Sequence, residues 1–148
     1  YERAIADFTQ ASKLSQPASS AAIYYSRSVA YLCAKQFDRA LEDANQVVKV
    51  APKAWMAHWD RGVVNYAMGK FDLAISDYNT AAQLNPKASE VLYARGIAKL
   101  KKGDNSGNSD IAAAKAINEK VAELWNDRAE PIAFSAAVRA SGCLPKED

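Results

Sequence analysis

An Arg-Gly/Ser-Val/Ile signature returns every 34 residues, as Arg27-Ser28-Val29, Arg61-Gly62-Val63 and Arg95-Gly96-Ile97. An aromatic residue stands two positions before each arginine (Tyr25, Trp59, Tyr93), and Leu32, Tyr66 and Leu100 stand five positions after it. A fixed period of roughly 20 to 50 residues marks stacked supersecondary units, each too small to bury its apolar face alone. The chain is therefore predicted to fold as a row of small cores rather than around one large core. Such a surface suits holding a partner better than performing chemistry.

Each unit reads as a helical hairpin. From Ala21 to Ala34 the apolar residues Ala22, Tyr25, Val29, Leu32 and Cys33 recur at three- and four-residue steps, and the stripe returns from Ala54 to Met68. Gly69-Lys70 separates a first helix from a second. Ala51-Pro52 and Asn85-Pro86 close the second helices, because proline lacks the amide a helix interior needs and pushes its predecessor out of the α region. Second helices are expected over Phe37 to Val50 and Phe71 to Leu84.

These residues resemble the tetratricopeptide repeat, a helix-turn-helix unit with a small residue late in the first helix, aromatics, two alanines in the second helix and a closing proline. The segment Trp55 to Pro86 carries Gly62, Ala74, Tyr78, Ala81 and Pro86 in that register. The preceding unit carries Ser28, Ala40 and Pro52, with Val47 in place of the second alanine. His58 stands where the signature has tryptophan, Asn65 where it has tyrosine, and Arg27, Arg61 and Arg95 where leucine is commonest. The resemblance implies an all-α, right-handed superhelix, an α-solenoid of antiparallel hairpins.

Aligned on the repeat, the whole chain of 148 residues is expected to be one domain. Residues 1–15 correspond to a second helix whose first helix is missing, joined onward by a longer loop around Gln16 to Ser20. Residues 21–52, 54–86 and 88–119 are complete repeats, residues 121–141 a partial repeat with a capping helix, and residues 142–148 a tail. In the third repeat one residue is missing in the Gly103 to Ser109 turn, where Asn108 or Ser109 is expected to cap the next helix. Asn126-Asp127-Arg128-Ala129 begins a fourth first helix that Pro131 interrupts. Tyr1, Ile5 and Phe8 are expected to be left partly uncovered by the missing upstream helix.

Two ladders run through the repeats. Arg27, Arg61, Arg95 and Arg128 recur once per unit, and Asp7, Asp43, Asp77 and Asp110 recur on the second helices. Matched periods predict ion pairs inside a hairpin or between neighbours rather than a row of arginines reading an anion. The small residues Ser28, Gly62 and Gly96, facing Ala40, Ala74 and Ala81, predict close approach of helix axes.

The second ladder is the candidate site. In the resembled family first helices line the concave face, which here places Tyr25, Val29, Leu32, Trp59, Val63, Tyr66, Tyr93, Ile97 and Leu100 along the groove. Tyrosine and tryptophan are frequent interface anchors, so the groove is expected to bind a protein or peptide partner, with Trp59 at its centre. The best-known groove of the family clamps a terminal carboxylate with lysine and asparagine. This chain has Tyr25, Val29 and Trp59 there, which points to an apolar peptide segment or helix instead.

Other chemistry finds little support. His58 is the one histidine and no nucleophile constellation surrounds it, so no catalytic residue is assigned. Cys33 and Cys143 follow no metal-ligand spacing, and Cys33 reads as a small apolar filler. The oxygen-rich string Asp104 to Asp110 lacks the glycine and glutamate a calcium loop needs, having Ser109 and Lys115 at those positions. No metal or cofactor is expected. A net charge of +2 with acids and bases interspersed gives no nucleic-acid stripe, and no apolar run is long enough to span a membrane. The compartment, cytoplasmic or periplasmic, stays open. The competing functions are a self-associating module joined through the N-terminal helix or the groove, and an accessory domain of a larger enzyme or secretion machine.

Overall fold

A computed structural model of the chain describes residues 1–14 and 17–122. Among the described residues seven helices follow in order: α1 (Glu2–Leu14), α2 (Pro17–Cys33), α3 (Phe37–Val50), α4 (Trp55–Ala67), α5 (Phe71–Leu84), α6 (Ser89–Lys101) and α7 (Gly107–Ile117). No strand occurs among the described residues. Helices α2 and α3, α4 and α5, and α6 and α7 pack as antiparallel hairpins, and each hairpin stacks on its neighbour through α3 with α4 and α5 with α6. The solenoid of paired helices is thus as the period predicts.

Hairpin turns repeat as faithfully as the helices. A residue in the left-handed region sits at the same place in each, Lys35 at φ 57°, Gly69 at φ 72° and Gly103 at φ 82°. After Gly69 the chain closes the helix end by donating its own amide to the Tyr66 carbonyl, and Lys70 donates to Asn65. Glycine enters this conformation without a Cβ clash, whereas Lys35 pays a steric cost of about 1 kcal/mol.

The core is built from small residues. Ala40, Ala44, Ala74, Ala81, Ala94, Ala98 and Ala114 are fully buried, and Tyr78 is the largest side chain among them with no exposure. Gly62 is needed for contact: a Cβ there would lie 2.5 Å from Cε1 of Tyr78. Gly96 and Gly107 face each other across α6 and α7, where a Cβ on Gly107 would lie 2.3 Å from the Gly96 carbonyl. In the first repeat Ser28 replaces the glycine, is buried, and donates its hydroxyl to the Ala40 carbonyl at 3.1 Å.

Three local expectations are corrected. Helix α2 begins at Pro17, inside the segment expected to be loop, because proline has helical φ and no amide to leave unpaired in a first turn. Helix α7 begins at Gly107 rather than after an Asn108 or Ser109 cap. There Asp104 accepts the Ser106 amide at 2.9 Å, and the same contact holds its carboxyl below the usual carboxylate range. Ile5 is buried against the packed α1–α2 pair, while Tyr1 is half exposed. The expected fourth first helix at Arg128 and the short helix after Pro131 lie outside the described residues.

Candidate functional site

Two sides of each first helix carry different chemistry. One side bears the arginines, and all three that are described turn into the solenoid. The Nε and Nη2 groups of Arg27 donate to Asp43 at 2.7 Å each. Arg61 donates to Asp77, at 2.7 Å from Nη2, and Arg95 donates to Asp110 at 2.8 and 2.6 Å. Each pair joins the two helices of one hairpin.

The remaining guanidinium nitrogen reaches the previous hairpin. Nη1 of Arg61 donates to Oδ1 of Asn45 at 3.3 Å, and Nη1 of Arg95 donates to Oδ1 of Asn79 at 2.9 Å. Nη1 of Arg27 donates to the hydroxyls of Thr9 and Ser12. One arginine therefore fixes the angle inside a hairpin and the register between hairpins at once. Thr9, Asn45 and Asn79 each follow a ladder aspartate by two residues. That shared offset is the sequence signal for the second half of the device, and the periodicity of charged residues alone does not reveal it.

The carboxylates have further partners. Asn65 donates to Asp77 at 3.1 Å, and Lys99 pairs with Asp110 at 2.8 Å. Burial pushes the Asp110 carboxyl up, but the hydrogen bonds from Arg95 and Lys99 outweigh it and hold the group below its ordinary range. The hydrogen bonds that Arg27 donates to Asp43 raise its guanidinium above its already high value. His58 is buried and its Nε2 donates to the Pro52 carbonyl at 2.9 Å, with Nδ1 4.0 Å from Asp77. It packs against the second helix, the place its position in the repeat predicts.

Along the candidate groove, Val29, Leu32, Trp59 and Val63 are buried, none with more than 4% exposure. Tyr25, Tyr66, Tyr93, Ile97 and Leu100 are half-buried. The Trp59 ring lies 5.4 Å from that of Tyr78, and Tyr66 meets Phe71 edge-on at 5.3 Å. Trp59 thus rests on the same side chain that requires Gly62. Cys33 is half-buried.

Among the described residues no three His, Cys, Asp or Glu side chains gather as metal ligands. No described helix is long and apolar enough to cross a membrane.

Comparison with known proteins agrees with this geometry. Residues 28–98, which hold the Arg61–Asp77 staple, match the family described as Tetratricopeptide repeat. Over that span the chain resembles the tetratricopeptide-repeat family. A search of curated proteins finds no match. Among solved structures, one of MamA superposes with a TM-score of 0.72 at 15% identity, covering 94% of this chain and 77% of that one. A second, MamA MSR-1 C2, gives 0.62 at 20% identity, covering 69% and 59%. The TPR2B domain of yeast Sti1, in its complex with pHsp70, gives 0.64 at 16% identity, covering 86% and 99%. At these identities the likeness is one of fold. Tetratricopeptide repeats serve as protein-interaction scaffolds.

Proposed function

We propose that this chain is a non-enzymatic interaction module whose first-helix face holds an apolar peptide segment or helix of a partner protein. The observation that carries the proposal is the division of labour on α2, α4 and α6. Their arginines are closed on Asp43, Asp77 and Asp110, which leaves the aromatic and aliphatic side for a ligand. On that side Tyr25, Tyr66, Tyr93, Ile97 and Leu100 keep part of their surface exposed, above buried Val29, Leu32, Trp59 and Val63. Half-exposed tyrosines supply large, rigid contact area at low entropic cost, the property of interface anchors. The Sti1 domain, similar in fold, is seen in a complex, which supports the same use of this architecture.

Peptides selected from a random library against the chain provide the test. Tyr93→Ala should weaken such a peptide by about fivefold to thirtyfold, equivalent to about 1 to 2 kcal/mol, without unfolding the protein. Leu73→Ala, at an exposed site on a second helix, should leave binding unchanged. Equal loss from both variants, or loss from Leu73→Ala alone, would move the site off the first-helix face.

A further inference from the structure

The middle repeat holds a buried carboxyl that the arginine ladder does not use. Asp60 is 4% exposed, and its Oδ2 has no hydrogen-bond partner. Its other side-chain contact is Ser28, across the seam where α2 meets α4. Both residues differ from their counterparts in the neighbouring complete repeats. Ser26 and Ala94 occupy the place of Asp60 in the neighbouring repeats, and Gly62 and Gly96 occupy the place of Ser28. A hydroxyl and a carboxyl thus replace two smaller or less polar residues at one contact.

The hydrogen inventory decides which form of Asp60 fits. Ser28 has a single hydroxyl hydrogen, and it is given to the Ala40 carbonyl at 3.1 Å. With that hydrogen on Ala40, Ser28 can only accept from a protonated Asp60; turned to Asp60, the same hydrogen favours the carboxylate, the sense in which the contact lowers the group. An ionised Asp60 draws the Ser28 hydrogen to itself and leaves the buried Ala40 carbonyl short of that bond. It also faces Asp43 of α3, whose charge is engaged by Arg27 of α2, and the buried Tyr78 of α5. On its own helix, Arg61 is turned to Asp77 and His58 to the Pro52 carbonyl. No cation on these elements is directed at Asp60.

We propose that the contact between α2 and α4 is a proton-dependent joint, closed when Asp60 is the neutral acid donating to Ser28 and loosened when Asp60 ionises. Burial, reinforced by the charge of Asp43 and opposed by the Ser28 contact, raises the carboxyl to about 7. The folded value then exceeds the unfolded one of 3.8, so the folded chain keeps a proton that the unfolded chain gives up between those limits. Stability from this group is complete below the lower value and falls as pH rises toward the upper.

The test uses the full chain and two readouts. The carboxyl carbon of Asp60, followed by NMR in the unmutated protein, should titrate near neutral pH. Asp60→Asn, whose amide can donate to the same lone pair, should remove the pH dependence. The ratio of the folding constants, wild type over variant, is expected to fall about tenfold per pH unit from about 4 to about 7. Amide protection in α2 and α4, corrected for intrinsic exchange, should fall relative to α6 over the same range. A carboxyl titrating at the ordinary value of about 4 overturns the proposal whether or not the variant folds. A pH-independent ratio of folding constants, or protection that changes equally in all three helices, also overturns it.

Discussion

Replacing Asp43 with alanine removes both acceptors of the Arg27 fork, each now 2.7 Å from its donor. The Arg27 side chain is 15% exposed and the Asp43 side chain 5%, so the pair lies near the buried limit. Exposed pairs contribute about 0 to 1 kcal/mol, whereas stranding a buried charge costs about 3 to 5. Some compensation remains. Nη1 keeps the Thr9 and Ser12 hydroxyls, and the guanidinium carbon lies 5.7 and 5.9 Å from the rings of Tyr24 and Tyr31. A loss of about 3 kcal/mol follows, between the two limits and nearer the buried one. The assay is urea unfolding of wild type, Asp43→Ala, Arg27→Ala and the double variant, read as a double-mutant cycle. The coupling energy should be at least about 1.5 kcal/mol, because the double variant no longer strands a charge. A coupling below about 0.5 kcal/mol, with single losses under about 1, would refute the claim that the arginines hold the hairpins together.

Further outcomes follow from particular contacts. Gly62→Ala forces its Cβ onto Tyr78 and should cost about 1 to 3 kcal/mol in thermal or urea unfolding; a neutral change would mean the two helices can separate freely. Trp59→Ala removes a buried ring from Tyr78 and should cost about 3 to 5 kcal/mol by the same assay, and a loss under about 1 would place the ring outside the core. Lys35→Gly relieves a left-handed lysine and should stabilise the chain by up to about 1 kcal/mol, a gain that a destabilised variant would disprove. Asp110, held below its unfolded value, contributes stability above about pH 4 that is lost as pH falls through its depressed value; Asp110→Asn should flatten that part of the acid unfolding curve.

The repeat, the hairpins and the bounds of α3 and α5 were legible because a 34-residue period imposes the same boundaries again and again. The aspartate partners of Arg27, Arg61 and Arg95 were legible for the same reason. Asn45 and Asn79 were not singled out, since a neutral acceptor stands out less than a matched charge, although their spacing is equally regular. Nor does Asp60 announce itself: its peculiarity is an unpartnered oxygen, which depends on what surrounds it rather than on any period. Helical periodicity marks one apolar stripe from Tyr25 to Leu100, but it does not divide that stripe by depth. Which members sink against Tyr78 or a neighbouring helix and which stay half-exposed depends on hairpin packing. The α2 start at Pro17 was obscured because proline serves both loops and first helical turns.

The central claim, that the first-helix face holds the partner, is tested most directly by mapping where a selected peptide lands. Amide and side-chain NMR shifts of the full chain, recorded during titration with that peptide, provide the map. The account predicts that the largest changes fall on Tyr25, Tyr66, Tyr93, Ile97 and Leu100 of α2, α4 and α6. Changes centred on Val50, Leu73 and Leu84 of the second helices, with the first-helix tyrosines unmoved, would contradict it.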